Sequence, residues 1–127
     1  MKKYLKLIPV MLFFSCEKSI NNYAIVIHGG AGTVIRENTS KELQKKYEDK
    51  LREALEVGYS ILESGGSSVD AVEKTIKILE DSELFNAGKG SVLTNEETVE
   101  MDASIMTGHD QNAGAVAILK TIKNPIS

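Results

Sequence analysis

The chain has 127 residues, with 15 Lys+Arg against 18 Asp+Glu and a net charge of -3, which suffices for one small domain and no second. Neither a basic stripe nor an acidic tail is present, which excludes nucleic acid as the main partner. A single Cys excludes an intrachain disulfide.

Residues 1–22 read as a leader and tether outside the fold, and 23–127 as the domain proper. Lys2, Lys3 and Lys6 make a positive start, Leu5 to Phe14 is an apolar run interrupted by Pro9, and Ser15-Cys16 closes it. That run is too short to cross about 30 Å of hydrocarbon as a helix, and its layout is that of a secretory leader. Leu12-Phe13-Phe14-Ser15-Cys16 resembles the lipobox of bacterial lipoproteins, although Phe14 stands where a smaller side chain is usual. The resemblance implies cleavage before Cys16, lipidation of its thiol and an exported, membrane-anchored protein. A buried amphipathic segment is the competing reading. Ser19 to Asn22 is then a brief polar tether.

Tyr23 to Ile27 is almost wholly apolar and predicts a strand covered on both faces. It ends at His28-Gly29-Gly30-Ala31-Gly32, where Gly permits positive φ. Thr39-Ser40-Lys41-Glu42 predicts a capped helix start. Leu43, Tyr47, Leu51, Ala54, Leu55, Gly58, Ile61 and Leu62 then recur at helical spacing until Gly65-Gly66. Ser67 or Ser68 caps a second helix with Val69, Val72, Ile76 and Leu79 as its inner stripe. Val99, Met101, Ala103 and Ile105 alternate with Glu100, Asp102 and Ser104, which predicts a strand. Ala113 to Leu119 predicts a central strand, joined to the first by a hairpin connection at Gly108 to Asn112.

Four constellations invite chemistry. His28-Gly29-Gly30 has the look of an oxyanion loop, but the Gly-x-Ser-x-Gly elbow such a site needs is absent, so a strand-ending turn is favoured. Gly88-Lys89-Gly90-Ser91 fails the phosphate-loop pattern, because Gly90 follows Lys89 and Glu83 holds the first glycine's place. Asp102 in an apolar strand predicts a structural acceptor for backbone donors rather than a catalytic acid, since no second carboxylate pairs with it at useful spacing. Leu79 to Lys89 reads as a rigid loop leaving a helix C-terminus, where orphan carbonyls need partners and a hard monovalent cation would suit them.

Leu84-Phe85-Asn86-Ala87-Gly88-Lys89-Gly90 and Met101-Asp102-Ala103-Ser104-Ile105-Met106 are the most distinctive stretches. With Ile27 to Gly32, Ala113 to Ala117 and Ile122-Lys123-Asn124-Pro125, they resemble the isoaspartyl peptidase/asparaginase family of N-terminal-nucleophile hydrolases, the plant-type asparaginases. The resemblance runs from about Tyr23 to Ser127.

It implies an α/β (α+β) fold, part of a four-layer αββα sandwich that this chain alone leaves incomplete. It implies a precursor that cuts itself before a Thr beyond Ser127. That Thr attacks the side-chain amide of Asn or a β-aspartyl (isoaspartyl) peptide bond, so no catalytic residue lies within the chain and the chain alone is inactive. It implies that Asn86 supports the active site beside the nucleophile's free amine. A structural sodium ion is implied on the main-chain oxygens of Leu79, Glu80, Ser82, Phe85, Ala87 and Lys89, with no organic cofactor. The implied partners are the small-molecule substrate, the protein's own C-terminal (beta) subunit and a second αβ unit in a dimer. Glycosylasparaginase, a sister branch, and a truncated, inactive surface protein are the alternatives.

Overall fold

The computed structural model describes residues 23–31 and 39–127. The leader, the tether and the lipidation site at Cys16 lie outside the described residues. Two helices, α1 (Lys41–Glu63) and α2 (Ser68–Glu80), are followed by a tight helical turn at Gly88–Gly90 and a two-stranded antiparallel hairpin, β1 (Met101–Met106) and β2 (Ala113–Leu119). This is a mixed α/β arrangement. Among the described residues no helix is long and apolar enough to cross a membrane.

Local chemistry fixes the helix ends. Ser40, one residue later than a start at Thr39, caps α1, its hydroxyl accepting the Leu43 N–H at 3.2 Å. Glu42 does not reciprocate; the Gln44 amide donates to the Thr39 carbonyl at 2.8 Å instead. At the other end Gly65 adopts φ 84, its N–H bonds the Leu62 carbonyl, and the Gly66 N–H bonds that of Ile61. That pair of bonds is a Schellman stop, and the left-handed residue it needs is the reason for Gly65. Ser67 caps α2 by accepting the Asp70 N–H at 3.0 Å while its own hydroxyl donates to the Asp70 carboxylate.

The helices meet along small residues. Ala54 and Gly58 of α1, four apart, face Ala71 and Thr75 of α2, also four apart, and all four are buried. A Cβ at Gly58 would lie 2.2 Å from Thr75 Oγ1 and 2.5 Å from Ile25 Cδ1, so the glycine sets how closely the pair and the crossing 23–27 segment approach. The inner stripe of α2 is therefore Ala71, Thr75 and Leu79; Val72 is largely exposed, because the small-residue row wins the contact with α1. Ala54, Leu79 and Phe85 form the buried core, lined by Ile27, Tyr47, Leu51, Ile76, Ile78 and Leu84.

Tyr23 to Ile27 differs from expectation. The segment pairs with neither strand, and its burial alternates, Tyr23, Ile25 and Ile27 being half-buried and Val26 91% exposed. One face rests on the helices and the other is bare.

In β1 the expected alternation is present, with Met101, Ala103 and Ile105 turned inward and Asp102 and Ser104 outward. β2 is not a covered central strand: all of it but Leu119 is exposed, since only β1 lies beside it. The hairpin closes through Thr107, whose N–H donates to the Asn112 carbonyl at 2.9 Å. Its ladder is interrupted between Met101 and Ala103, where β2 carries an extra residue and Ile118 adopts φ 59. There the Asp102 carboxylate accepts the Ile118 N–H at 2.8 Å. The expected role as backbone acceptor holds, but on an exposed face rather than a buried one.

Candidate functional site: the loop from the end of the second helix to Gly90

Helix α2 ends at Glu80, Asp81 caps it, and the chain doubles back through Ser82 to Gly90. Phe85 anchors the loop, only 6% exposed and edge-on to Tyr47 with ring centroids 5.6 Å apart. The Ser82 hydroxyl accepts the Leu84 N–H at 3.2 Å. The Ala87 N–H bonds the Phe85 carbonyl at 2.8 Å and the Gly90 N–H that of Ala87 at 3.1 Å.

The two glycines exist because carbonyls crowd them. A Cβ at Gly90 would lie 2.2 Å from the Phe85 carbonyl oxygen and 2.9 Å from that of Ser82. At Gly88, which sits at φ 53, it would lie 2.4 Å from the Glu80 carbonyl oxygen. The loop thus folds into a tight cradle with main-chain oxygens of Glu80, Ser82 and Phe85 at its wall. Hard monovalent ions take such oxygens, so the residues present fit the sodium loop that the family resemblance implies. Backbone N–H groups of Asp81 and Ser82 reach the Leu79 carbonyl, that of Ala87 the Phe85 carbonyl and that of Gly90 the Ala87 carbonyl.

Among the described residues Asn86 is held through its side-chain oxygen. Its side-chain oxygen accepts the Val92 N–H at 2.9 Å, spanning the Gly88–Gly90 turn, and the residue is exposed. This bond fixes the carboxamide oxygen across the turn. It is longer in sequence than the simple Asx turn that would make Asn86 merely a turn residue.

The Lys89 ammonium lies 2.7 Å from the Glu83 carboxylate, and both are exposed. The hydrogen bond between them lowers the Glu83 carboxyl below its usual range and raises the lysine. A lysine so engaged, on a loop whose oxygens turn inward, is not a phosphate site.

The His28-Gly29-Gly30 turn borders the same loop. A Cβ on Gly29 would lie 3.5 Å from the Phe85 ring and 3.4 Å from Leu51. The Gly30 N–H donates to His28 Nδ1 at 3.1 Å, so it is spent within the turn rather than offered to an anion. The turn is a support for the Phe85 side of the loop.

A set of ties that sequence reasoning missed closes the back of the site. The Asp81 carboxylate accepts the Lys123 ammonium at 3.0 Å and the Asn124 amide at 3.1 Å, and the former bond in particular pulls its carboxyl below the usual range. The Glu80 carboxylate accepts the Ile126 N–H at 3.2 Å. Glu80 is 3% exposed and burial raises its carboxyl. The signal in the sequence was the adjacent acid pair at a helix end, but nothing local says what such a pair will meet more than 40 residues later. Among the described residues no cluster of His, Cys, Asp and Glu could hold a metal ion through side chains.

The family model described as Asparaginase matches residues 21–127. The isoaspartyl peptidase/L-asparaginase of Bos taurus is 49% identical over 105 residues, 83% of this chain and 33% of that protein. The plant-type L-asparaginase of Pyrococcus furiosus is 52% identical over 104 residues, 82% of this chain and 32% of its own length. The isoaspartyl peptidase/L-asparaginase of Homo sapiens is 49% identical over 105 residues, with the same coverage as the bovine protein. The chain spans about a third of the length of these relatives. A match over nearly the whole domain, at about half identity, places the chain in the asparaginase family.

Proposed function

We propose that the protein to which this chain belongs hydrolyses the side-chain amide of L-asparagine and the β-aspartyl bond of isoaspartyl dipeptides. The observation that carries the reading is the sequence identity of about half, over most of the chain, to proteins named for these activities. The nucleophile is a Thr at an N-terminus made by self-cleavage, supplied by the part of the protein after Ser127. Its new α-amino group, with an ordinary pKa of about 7.7 to 8.0, takes the hydroxyl proton near neutral pH. The hydroxyl oxygen attacks the carbonyl, ammonia or an amine leaves, and water cleaves the resulting ester.

Within this chain Asn86 is a positioning residue. Its oxygen is held by Val92, which leaves its NH2 to hydrogen-bond the nucleophile's neighbourhood and to keep the α-amine correctly turned. The main-chain oxygens of Leu79, Glu80, Ser82, Phe85, Ala87 and Lys89 would hold sodium, which supplies charge and rigidity but no redox or Lewis-acid step. The bare outer face of Tyr23 to Ile27 and the open faces of β2 fit a four-layer αββα sandwich completed by the beta subunit, with αβ units pairing into a dimer.

Purified protein at its natural length, incubated with L-asparagine and with a β-aspartyl dipeptide, should release ammonia and aspartate respectively. Absence of both, in folded and self-cleaved protein, would overturn the reading. For location we propose export and lipidation at Cys16, supported by Lys2, Lys3, Lys6 and the Ser15-Cys16 pair. Mass spectrometry finding an intact Met1, or a free Cys16 thiol in cell-derived protein, would overturn it.

A further inference from the structure

The turn that follows Gly90 buries little within this chain. Val92 and Leu93, which open it, are 65% and 62% exposed, so it adds little to the apolar core. Yet it is stitched throughout. Leu93 bridges to Val99, the Thr94 N–H donates to the Thr98 carbonyl at 2.8 Å, and the Glu97 N–H donates to the Thr94 carbonyl at 3.0 Å. The Thr94 hydroxyl accepts the N–H groups of Glu96 at 3.2 Å and of Thr98 at 3.3 Å, and lies 3.0 Å from the Thr98 hydroxyl. Val99 then runs directly toward β1, which anchors the turn to the hairpin.

At its free end the turn offers the Val92 N–H, 2.9 Å from the Asn86 side-chain oxygen. A carboxamide has one accepting end and one donating end, nearly equal in shape. Flipping that of Asn86 would set its NH2 against the Val92 N–H, donor against donor. The bond therefore selects one of the two orientations. The Gly88–Gly90 turn brings the chain back far enough for this, with the Gly90 N–H on the Ala87 carbonyl at 3.1 Å and the Ser91 N–H on that of Gly88 at 3.2 Å.

We propose that the Val92 to Val99 turn is a positioning element for the reaction: through the Val92 N–H it fixes which end of the Asn86 carboxamide meets the nucleophile, so that Asn86 serves there as a donor. This rests on the reading of Asn86 as a positioning residue, and it assigns what positions Asn86 in turn. The stitching of Thr94 and Thr98 keeps the Val92 N–H in place, in a segment that apolar burial does not hold.

The test uses the protein at its natural length and reads kcat and KM for L-asparagine per self-cleaved chain, beside the melting temperature. Ser91 lies at φ -59 and ψ 135, a conformation suited to the residue before a proline, so Val92→Pro removes the N–H at little backbone cost on that side. Its kcat should fall about tenfold below that of Val92→Ala, which trims the side chain and keeps the N–H, with KM changed by less than about threefold. Thr94→Val, which loses the accepting hydroxyl, should lower kcat in the same sense, and Thr94→Ser should recover it. A folded, self-cleaved Val92→Pro with the kcat of Val92→Ala overturns the role of the turn and leaves the function and Asn86 standing. Asn86→Ala with the wild-type kcat overturns the role of Asn86 and that of the turn with it. If Val92→Pro does not fold or does not cleave itself, Asn86→Asp decides, because it keeps an oxygen for Val92 and loses the donor. A kcat lowered about tenfold there supports the proposal, and a wild-type kcat overturns it.

Discussion

The Asp102 carboxylate accepts the N–H of Ile118, 16 residues further along the chain, at the one place where the hairpin ladder loses register. A bulge frees a backbone donor, and a β-branched residue at φ 59 is strained. The acid repairs the first problem and tolerates the second.

Asp102→Ala should therefore cost about 1 kcal/mol in chemical denaturation, whereas Asp102→Asn, whose amide oxygen still accepts, should cost much less. Ile118→Gly should recover stability by relieving the left-handed backbone. If Asp102→Ala and Asp102→Asn are equally destabilised, the hydrogen bond is not what matters there.

Gly58→Ala places a methyl 2.2 Å from Thr75 Oγ1 and 2.5 Å from Ile25, and should destabilise by roughly 1–3 kcal/mol. Thr75 Oγ1 is itself buried without a partner, so Thr75→Ala removes both a collision and an unsatisfied hydroxyl. The double variant should be more stable than the sum of the singles, measured as a coupling in a thermodynamic cycle.

Gly90→Ala drives a methyl into two backbone oxygens that cannot swing aside as a side chain can. Loss of roughly 3 kcal/mol or more is expected, together with loss of any sodium-dependent rise in melting temperature. Gly30→Ala serves as the control: its φ is 107 but nothing lies within 4 Å of a Cβ, so it should lose stability through backbone strain and keep the sodium response.

Asp81 gives a pH dependence with a definite sign. Its carboxyl is held below the ordinary 3.8 by the hydrogen bonds of Lys123 and Asn124. A group lowered in the folded state contributes stability above its unfolded value and loses it as pH falls through the lowered value. Asp81→Asn should thus lower the melting temperature by a constant amount above about pH 4 and flatten the acid limb below it. An unchanged acid limb in Asp81→Asn would show that the tie to Lys123 and Asn124 is not formed.

Much of the fold was legible because helix ends are local chemistry. Ser67, Gly65 and the alternation of Met101 to Ile105 each announce their element within a few residues. What misled was partnership: Tyr23 to Ile27 and Ala113 to Leu119 have the composition of covered strands, but coverage depends on neighbours, and here each lacks one on at least one side. Val72 misled for the opposite reason, since a row of small residues displaced a larger apolar one from the helix contact. At the site, Asn86 and the Gly88 to Gly90 turn stood out by residue type. The side chains of Glu80 and Asp81 did not, because their partners are set by tertiary approach.

The same ties have a kinetic meaning. The contact between α1 and α2 is made by segments adjacent in sequence, whereas Asp81 to Lys123 and Glu80 to Ile126 each close a span of more than 40 residues. Short-range contacts cost little chain entropy and form early; long-range closures wait. On that reasoning the helical pair is expected to assemble first, and weakening the late ties, as in Asp81→Asn, should quicken unfolding while leaving the refolding rate nearly unchanged in stopped-flow kinetics.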